Sequence, residues 1–363
     1  MEFVDLKEQY RRYKHEIDAS IEEVITSARF IGGPVIKQFE EELAAYAGVR
    51  HAIGCASGTD ALLLGLLAKE IGPGDEVIVP DFTFIATAEI VSLLGAVPVF
   101  VDVQDDTLNI DPEKAAAAVT ERTKGIIPVS LYGQCADLDR LNEIAKQHGL
   151  WVMEDGAQSY GATFKGKKSC SITELATTSF FPAKPLGGYG DGGAVFTNDD
   201  GLAATIRMKL NHGQEKRYRH AIIGTNARLD AIQAAVLRVK LRHLDDEIVQ
   251  RHRVADAYTK RLKSAVSTPV VREYNETIWA QYTVRSASRD KLIEALNAKG
   301  IPTAIHYPMP LHAQPAFAYL SSNAAGFEVS DAASREVFSL PMHPFLEEKD
   351  IDFICDTIGA AAS

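Results

Sequence analysis

The chain has 363 residues, of which 46% are hydrophobic and 24% charged, and a formal net charge of −11. That length exceeds one minimal domain and leaves ample core for a large domain plus a smaller one. The acidic balance argues against nucleic acid, normally met by a basic stripe, but not against a nucleotide ligand, which a few local cations or a helix N-terminus can hold.

The first twenty residues, MEFVDLKEQYRRYKHEIDAS, are charged throughout and lack the apolar stretch of a secretory signal. No segment has the charge-free length of a membrane span. Cys55, Cys135, Cys170 and Cys355 lie far apart with no C-x-x-C pair, so they read as reduced thiols, neither a zinc set nor a disulfide scaffold. The expectation is a soluble, cytoplasmic protein with no metal, no membrane and no nucleic-acid partner.

In chain order, 36–48 sets Phe39, Leu43 and Tyr46 among charged residues, as an amphipathic helix does. HAIGCASGT reads as a strand and turn, followed by a helix from about Thr59. VIVP (77–80), a helix from about Thr83 to Leu94, and PVFVDV (98–103) come next. The pattern repeats in KGIIPVS (124–130), a helix over 137–148 and LWVMED (150–155). Short apolar strands alternating with helices predict an α/β domain with a largely parallel sheet. Beyond Lys168, TTSFF (177–181) and GAVFTN (193–198) read as neighbouring strands joined by the glycine-rich loop PAKPLGGYGDG. Helices are expected over 199–212 and 226–263. A smaller α+β domain follows, with a strand in AQYTVR and helices over 289–299 and 347–360. The division is placed at 1–245 and 246–363.

Ligands of open α/β sheets gather beyond the carboxyl ends of the strands, and four features fall there. Ser57-Gly58-Thr59 joins a strand to a helix; Gly58 lets backbone approach an anion, although the same turn is also an ordinary N-cap. Asp155 in EDGAQS ends a strand. It can hold a protonated heterocyclic nitrogen, or merely cap the next turn, while Glu154 should face the other side of the sheet. Gln158 can offer its amide to a ring hydroxyl or be a polar loop residue. Lys184 lies between Pro182 and Pro185, ahead of five glycines within 187–193. A lysine desolvated there can form an imine, whereas an isolated lysine is by default a solvated one. Ser179 can donate to a phosphate. Phe84 in PDFTFIATA can stack on a flat heterocycle or belong to the core.

In this order the residues resemble the DegT/DnrJ-type nucleotide-sugar aminotransferases, which are fold-type I enzymes dependent on pyridoxal 5′-phosphate (PLP) and built like aspartate aminotransferase. The resemblance runs through ASGTDAL, GPGDEVIVPDFTFIATA, EDGAQSYGA, SFFPAKPLGGYGDGGAVFTND, GTNARLDAIQAA, HYPMPLH and SLPMHP. It implies that Lys184 is the imine-forming and catalytic lysine, Asp155 the partner of the pyridine nitrogen, and Gln158 the contact of the ring hydroxyl. It further implies phosphate contacts from Gly58, Thr59 and Ser179, and stacking by Phe84. In such enzymes the G-x-N-x-R segment reaches a neighbouring subunit's site. The resemblance therefore implies a homodimer in which Asn226 meets the phosphate and Arg228 the sugar nucleotide; the plain alternative is an N-cap at Asn226 and a surface Arg228. His306 and Tyr307, in AIHYPMP, fall where relatives touch the sugar nucleotide, although a histidine in such a run is as readily a satisfied core residue.

Some relatives that remove a hydroxyl group carry histidine in place of the lysine, so Lys184 favours transamination over dehydration. The finer likeness is to enzymes acting on UDP-2-acetamido-2-deoxy-3-oxo-glucuronate. SLYGQCADLD and the GDGG after the lysine carry it, many C4 enzymes reading AEGG there. The expected reaction moves an amino group from L-glutamate to that C3 ketone, in lipopolysaccharide and O-antigen sugar biosynthesis. The competing expectations are a dTDP- or UDP-4-keto-6-deoxy sugar, C3 dehydration, and a non-catalytic PLP- or sugar-nucleotide-binding regulator.

Overall fold

The computed structural model describes residues 1–320 and 326–362. Seven strands form the central sheet: β1 His51–Cys55, β2 Glu76–Pro80, β3 Val97–Val101, β4 Thr123–Ile126, β5 Trp151–Asp155, β6 Leu175–Ser179 and β7 Gly193–Thr197, in spatial order 1-7-6-5-4-2-3. β7 runs antiparallel to both β1 and β6, and the remaining pairings are parallel. Six strands therefore point their carboxyl ends to one side, where an open α/β sheet holds its ligand. Every residue of β2, β5 and β7 is buried, as a sheet covered on both faces requires. Full burial of each Val, Ile or Phe side chain there contributes about 1.5–3 kcal/mol.

The helices are α1 Leu6–Ser27, α2 Pro34–Ala47, α3 Gly58–Ala68, α4 Ala86–Leu93, α5 Pro112–Ala117, α6 Leu138–His148, α7 Asp200–Lys209, α8 Ala231–Leu262, α9 Arg289–Ala298, α10 Glu328–Glu336 and α11 Glu348–Ala362. Two differ from their expected limits in ways that shape the site. α4 starts at Ala86, not near Thr83, which leaves Phe82–Ile85 as a turn beyond β2. α8 starts at Ala231, not at 226. Residues 226–230 are extended instead, with Asn226 bridged to Asn211, Arg228 to Cys55 and Asp230 to Ile31. Asp230, and not Asn226, is the N-cap of α8.

α8 passes through the region where a division was expected. Ala234, Leu237, Leu241 and Leu244 pack with Phe39, Phe180 and Phe196. Val254, Ala255, Tyr258 and Leu262 pack instead with Tyr282, Phe338, Ile354 and Ile358, around the antiparallel pair β8 Tyr282–Arg285 and β9 Val337–Leu340. α1 lies along α8: Ile17 packs on Val236 and Val239, Gln9 donates to Glu247, and Arg242 pairs with Glu16. All four cysteines are free and buried. Among the described residues no helix is long and apolar enough to cross a membrane, and no cluster of His, Cys, Asp and Glu could hold a metal.

Candidate active site

A cavity of about 390 Å³ opens at the carboxyl ends of the strands, its wall including Ser57, Gly58, Thr59, Phe84, Asp155, Gln158, Ser179, Lys184, His306 and Tyr307. The sheet gathers these residues from distant points in the chain. Gly58 and Thr59 open α3 directly after β1, and Asp155 and Ser179 are the last residues of β5 and β6.

The turn after β1 is both a helix cap and one end of the cavity. Ser57 Oγ accepts the Asp60 N–H at 3.0 Å, closing α3, while Gly58 and Thr59 face the space beyond. A Cβ on Gly58 would lie 2.6 Å from the Ser179 Cβ, closer than such atoms approach, so only glycine allows β6 this near the helix terminus. Backbone N–H groups, the positive end of α3 and the Thr59 and Ser179 hydroxyls together suit a phosphate. Ser179 Oγ already accepts the Phe181 N–H at 3.2 Å, which leaves its proton to donate.

Asp155 is 6% exposed. Burial pushes its carboxyl above the usual range, against the opposing pull of the Thr87 hydroxyl, the Ala157 N–H and the charge of Lys184. Thr87 Oγ1 donates to one carboxylate oxygen at 2.9 Å and Ala157 N to the other at 3.1 Å. Among the described residues Lys184 is the cation whose charge acts on this buried carboxylate, and a protonated ring nitrogen would supply another. Glu154 turns to the opposite face, where Ser130, Ser169 and the Cys170 N–H bind it. Lys184 is half-buried; desolvation lowers its pKa while Asp155 raises it, so the amine is poised nearer to its nucleophilic form than a solvated lysine.

Gln158 is locked at both ends. Its Oε1 accepts the Tyr132 N–H at 2.7 Å and its Nε2 donates to the Tyr307 hydroxyl at 3.1 Å, a geometry that leaves a second Nε2 hydrogen uncommitted to either bond. Phe84 is 55% exposed and so is no core aromatic; it forms the wall with Phe181, 53% exposed, and its ring centre lies 6.3 Å from that of Tyr307. His306 is partly buried, between the core and the cavity. Its Nδ1 bonds Ser339 Oγ at 2.9 Å and the residue also lines the cavity. Burial and the charge of Lys184 bring its pKa down to about 4, so it is neutral near pH 7.

Asn226 and Arg228 lie outside this cavity. Arg228 Nε donates to Asn226 Oδ1 at 2.9 Å, and the guanidinium borders a separate cleft with Ile31, Gly33 and Arg207. Sequence reasoning passed over Thr87, Phe181, Asp191 and Gln281, each of which touches Asp155 or lines the cavity. Asp191 was legible as part of GDGG, but the other three carried no local signal.

These residues fit PLP: a cradle for phosphate, an aromatic wall, a carboxylate for the ring nitrogen, an amide near the ring hydroxyl and an amine for its carbonyl. Bound there, PLP supplies a carbonyl that condenses with amines and a ring that accepts the electron pair left when a proton departs.

The comparisons agree. The DegT/DnrJ/EryC1/StrS aminotransferase family model matches residues 11–359. A UDP-2-acetamido-2-deoxy-3-oxo-D-glucuronate aminotransferase of Pseudomonas aeruginosa is 51% identical over 98% of this chain and 98% of its own. A protein of Geobacillus stearothermophilus described as a pleiotropic regulatory protein is 46% identical over 98% of this chain and 97% of its own. The solved structure of S. venezuelae DesV, in complex with a ketimine intermediate, is 42% identical and superposes with a TM-score of 0.97 over 100% of this chain and 98% of that one. This chain belongs to the DegT/DnrJ/EryC1/StrS aminotransferase family and is a PLP-dependent aminotransferase.

Proposed function

We propose that the enzyme moves an amino group from L-glutamate to the C3 ketone of UDP-2-acetamido-2-deoxy-3-oxo-glucuronate, as a cytoplasmic homodimer making amino sugars for lipopolysaccharide and O-antigen. The observation that carries the reading is Lys184 and Asp155 in one cavity whose wall also holds Asp191 of the GDGG loop. The relative of 51% identity, named for that substrate, supports the choice of sugar.

With the cofactor bound, the Lys184 amine would be the base that takes the proton from the donor's α-carbon. Asp155 would hold the cofactor's ring nitrogen in its protonated form. Gln158, fixed by Tyr132 and Tyr307, holds the ring in register, and Phe84 excludes water from one side. In the second half Lys184 returns the proton to the sugar carbon. Neutral His306 and the Tyr307 hydroxyl orient sugar hydroxyls or diphosphate oxygens. Across the dimer, Asn226 reaches the partner's phosphate site and Arg228 meets the uronate carboxylate with a bidentate pair.

Coupled assays with 3-keto and 4-keto UDP- and dTDP-sugars, followed by NMR assignment of the aminated carbon, test this. Amination at C3 of the UDP-uronate is expected, and turnover confined to a 4-keto sugar refutes the choice. A binding-only regulator has no need of the Lys184–Asp155 pair, and absence of turnover on every keto sugar would favour it.

A further inference from the structure

The loop that carries Lys184 is closed on itself. Lys184 N donates to Phe181 O at 2.8 Å, Gly188 N to Phe180 O at 2.8 Å, and a Cβ on Gly187 would lie 2.2 Å from Pro182 O. Holding the carbonyl side of Gly187 therefore holds the whole turn. α8 does so at two points seven residues apart, two helical turns on one face. Gln233 Oε1 accepts the Tyr189 N–H at 2.7 Å, and the backbone packs so closely there that a Cβ on either Gly188 or Gly190 would lie 2.9 Å from the Gln233 amide. Lys240 Nζ donates to Gly187 O at 2.7 Å and lies 4.4 Å from the centre of the Tyr189 ring.

Lys240 is only 3% exposed. Burial lowers its pKa to about 8 while Glu247 raises it. A buried ammonium is costly, and a well-packed apolar side chain of similar size would serve α8 as well if packing alone were at stake. What an apolar residue cannot do is donate to the Gly187 carbonyl.

We infer that Lys240, with Gln233, is a positioning residue for Lys184, setting the reach of the catalytic amine from beneath the glycine-rich loop. This rests on Lys184 being the residue that bonds the cofactor. The test strips the full-length protein of cofactor, adds PLP, and follows the near-visible absorbance that marks covalent attachment. Borohydride reduction and peptide mass spectrometry then locate the attached residue.

Lys240→Met and Gln233→Leu should each slow attachment at least tenfold. Val239→Ala, which loosens α8 on its α1 side at a residue packed against Ile17, should attach at the wild-type rate. A Lys240→Met protein that attaches at the wild-type rate overturns the inference, as does a Val239→Ala protein slowed as much as Lys240→Met. Should Lys240→Met fail to fold, Gln233→Leu decides on the same terms. Attachment at a residue other than Lys184 would instead sink the functional reading beneath it.

Discussion

Thr87 Oγ1 lies 2.9 Å from Oδ2 of Asp155, and both residues are buried. The bond joins the second residue of α4 to the last residue of β5, and it works against the desolvation that raises the Asp155 pKa. Thr87→Val keeps the shape and removes the donor. A hydrogen bond to a charged group is worth about 1.5–3 kcal/mol, and 1.4 kcal/mol is about tenfold. The variant should therefore lose roughly ten- to a hundredfold in the rate at which glutamate bleaches the near-visible band. Asp155→Asn, which removes the charge itself, should lose more. Stopped-flow absorbance measures both, and equal rates in Thr87→Val and wild type would show that the bond is idle.

Lys184 is the lysine whose charge acts directly on Asp155. Lys184→Ala should bind PLP through its phosphate yet show the absorbance of the free aldehyde, no cofactor fixed to the protein by borohydride, and no turnover above background. Product mass spectrometry after prolonged incubation is the check. Steady turnover by that variant would place the catalytic amine elsewhere.

The alternation of strands and helices was legible because the strands of a covered sheet are short apolar runs, and VIVP and LWVMED could hardly be anything else. Asp155 at the end of LWVMED followed from the same logic, whereas Ser179, expected inside a strand over 177–181, is the last residue of β6. Three kinds of feature were not legible. α1 was passed over as merely charged, although Asp5 caps it by accepting the Glu8 N–H and Ile17 and Val24 mark its buried face. Its mean character is polar because only a narrow stripe meets α8. Thr87, Phe181 and Gln281 matter only through partners far away in sequence, and no local pattern reports such a meeting. The extended run 226–230 was read as helix because its residues continue the charge-rich character of α8. Bridges to Asn211, Cys55 and Ile31 override that propensity.

Gly58→Ala tests the phosphate cradle. The added methyl would lie 2.6 Å from the Ser179 Cβ and 3.2 Å from its Cα, so backbone must give way. Overpacking of this kind costs about 1–3 kcal/mol, and the variant should melt a few degrees lower and bind PLP at least tenfold more weakly. Adding Ser179→Gly removes the side-chain contacts and leaves the Cα at 3.2 Å. The double variant should regain part of the melting temperature but not the affinity, since a phosphate donor has gone. Fluorescence titration with PLP and thermal unfolding separate the two effects. Recovery of both would show that Ser179 gives the phosphate nothing.

His306 ties the active site to acid stability. Its pKa falls from the ordinary 6.5 to about 4 through burial and the charge of Lys184, and His343, 4% exposed, falls to about 4 chiefly through burial. Between those two pH values the unfolded chain binds protons at both histidines and the folded chain does not. Stability from this source is therefore full above pH 6.5 and is lost as pH falls toward 4. Each histidine accounts for on the order of 3 kcal/mol across that window. His306→Gln keeps a hydrogen-bonding side chain beside Ser339 without the proton uptake. Its unfolding free energy, measured in urea at steps from pH 7 to 4, should fall less steeply than that of the wild type, since His343 and the buried carboxyl groups Asp81, Glu154 and Asp155 keep their own contributions. An unchanged slope would mean that His306 takes up its proton in the folded protein at the same pH as in the unfolded chain, and that its burial beside Lys184 leaves its titration untouched.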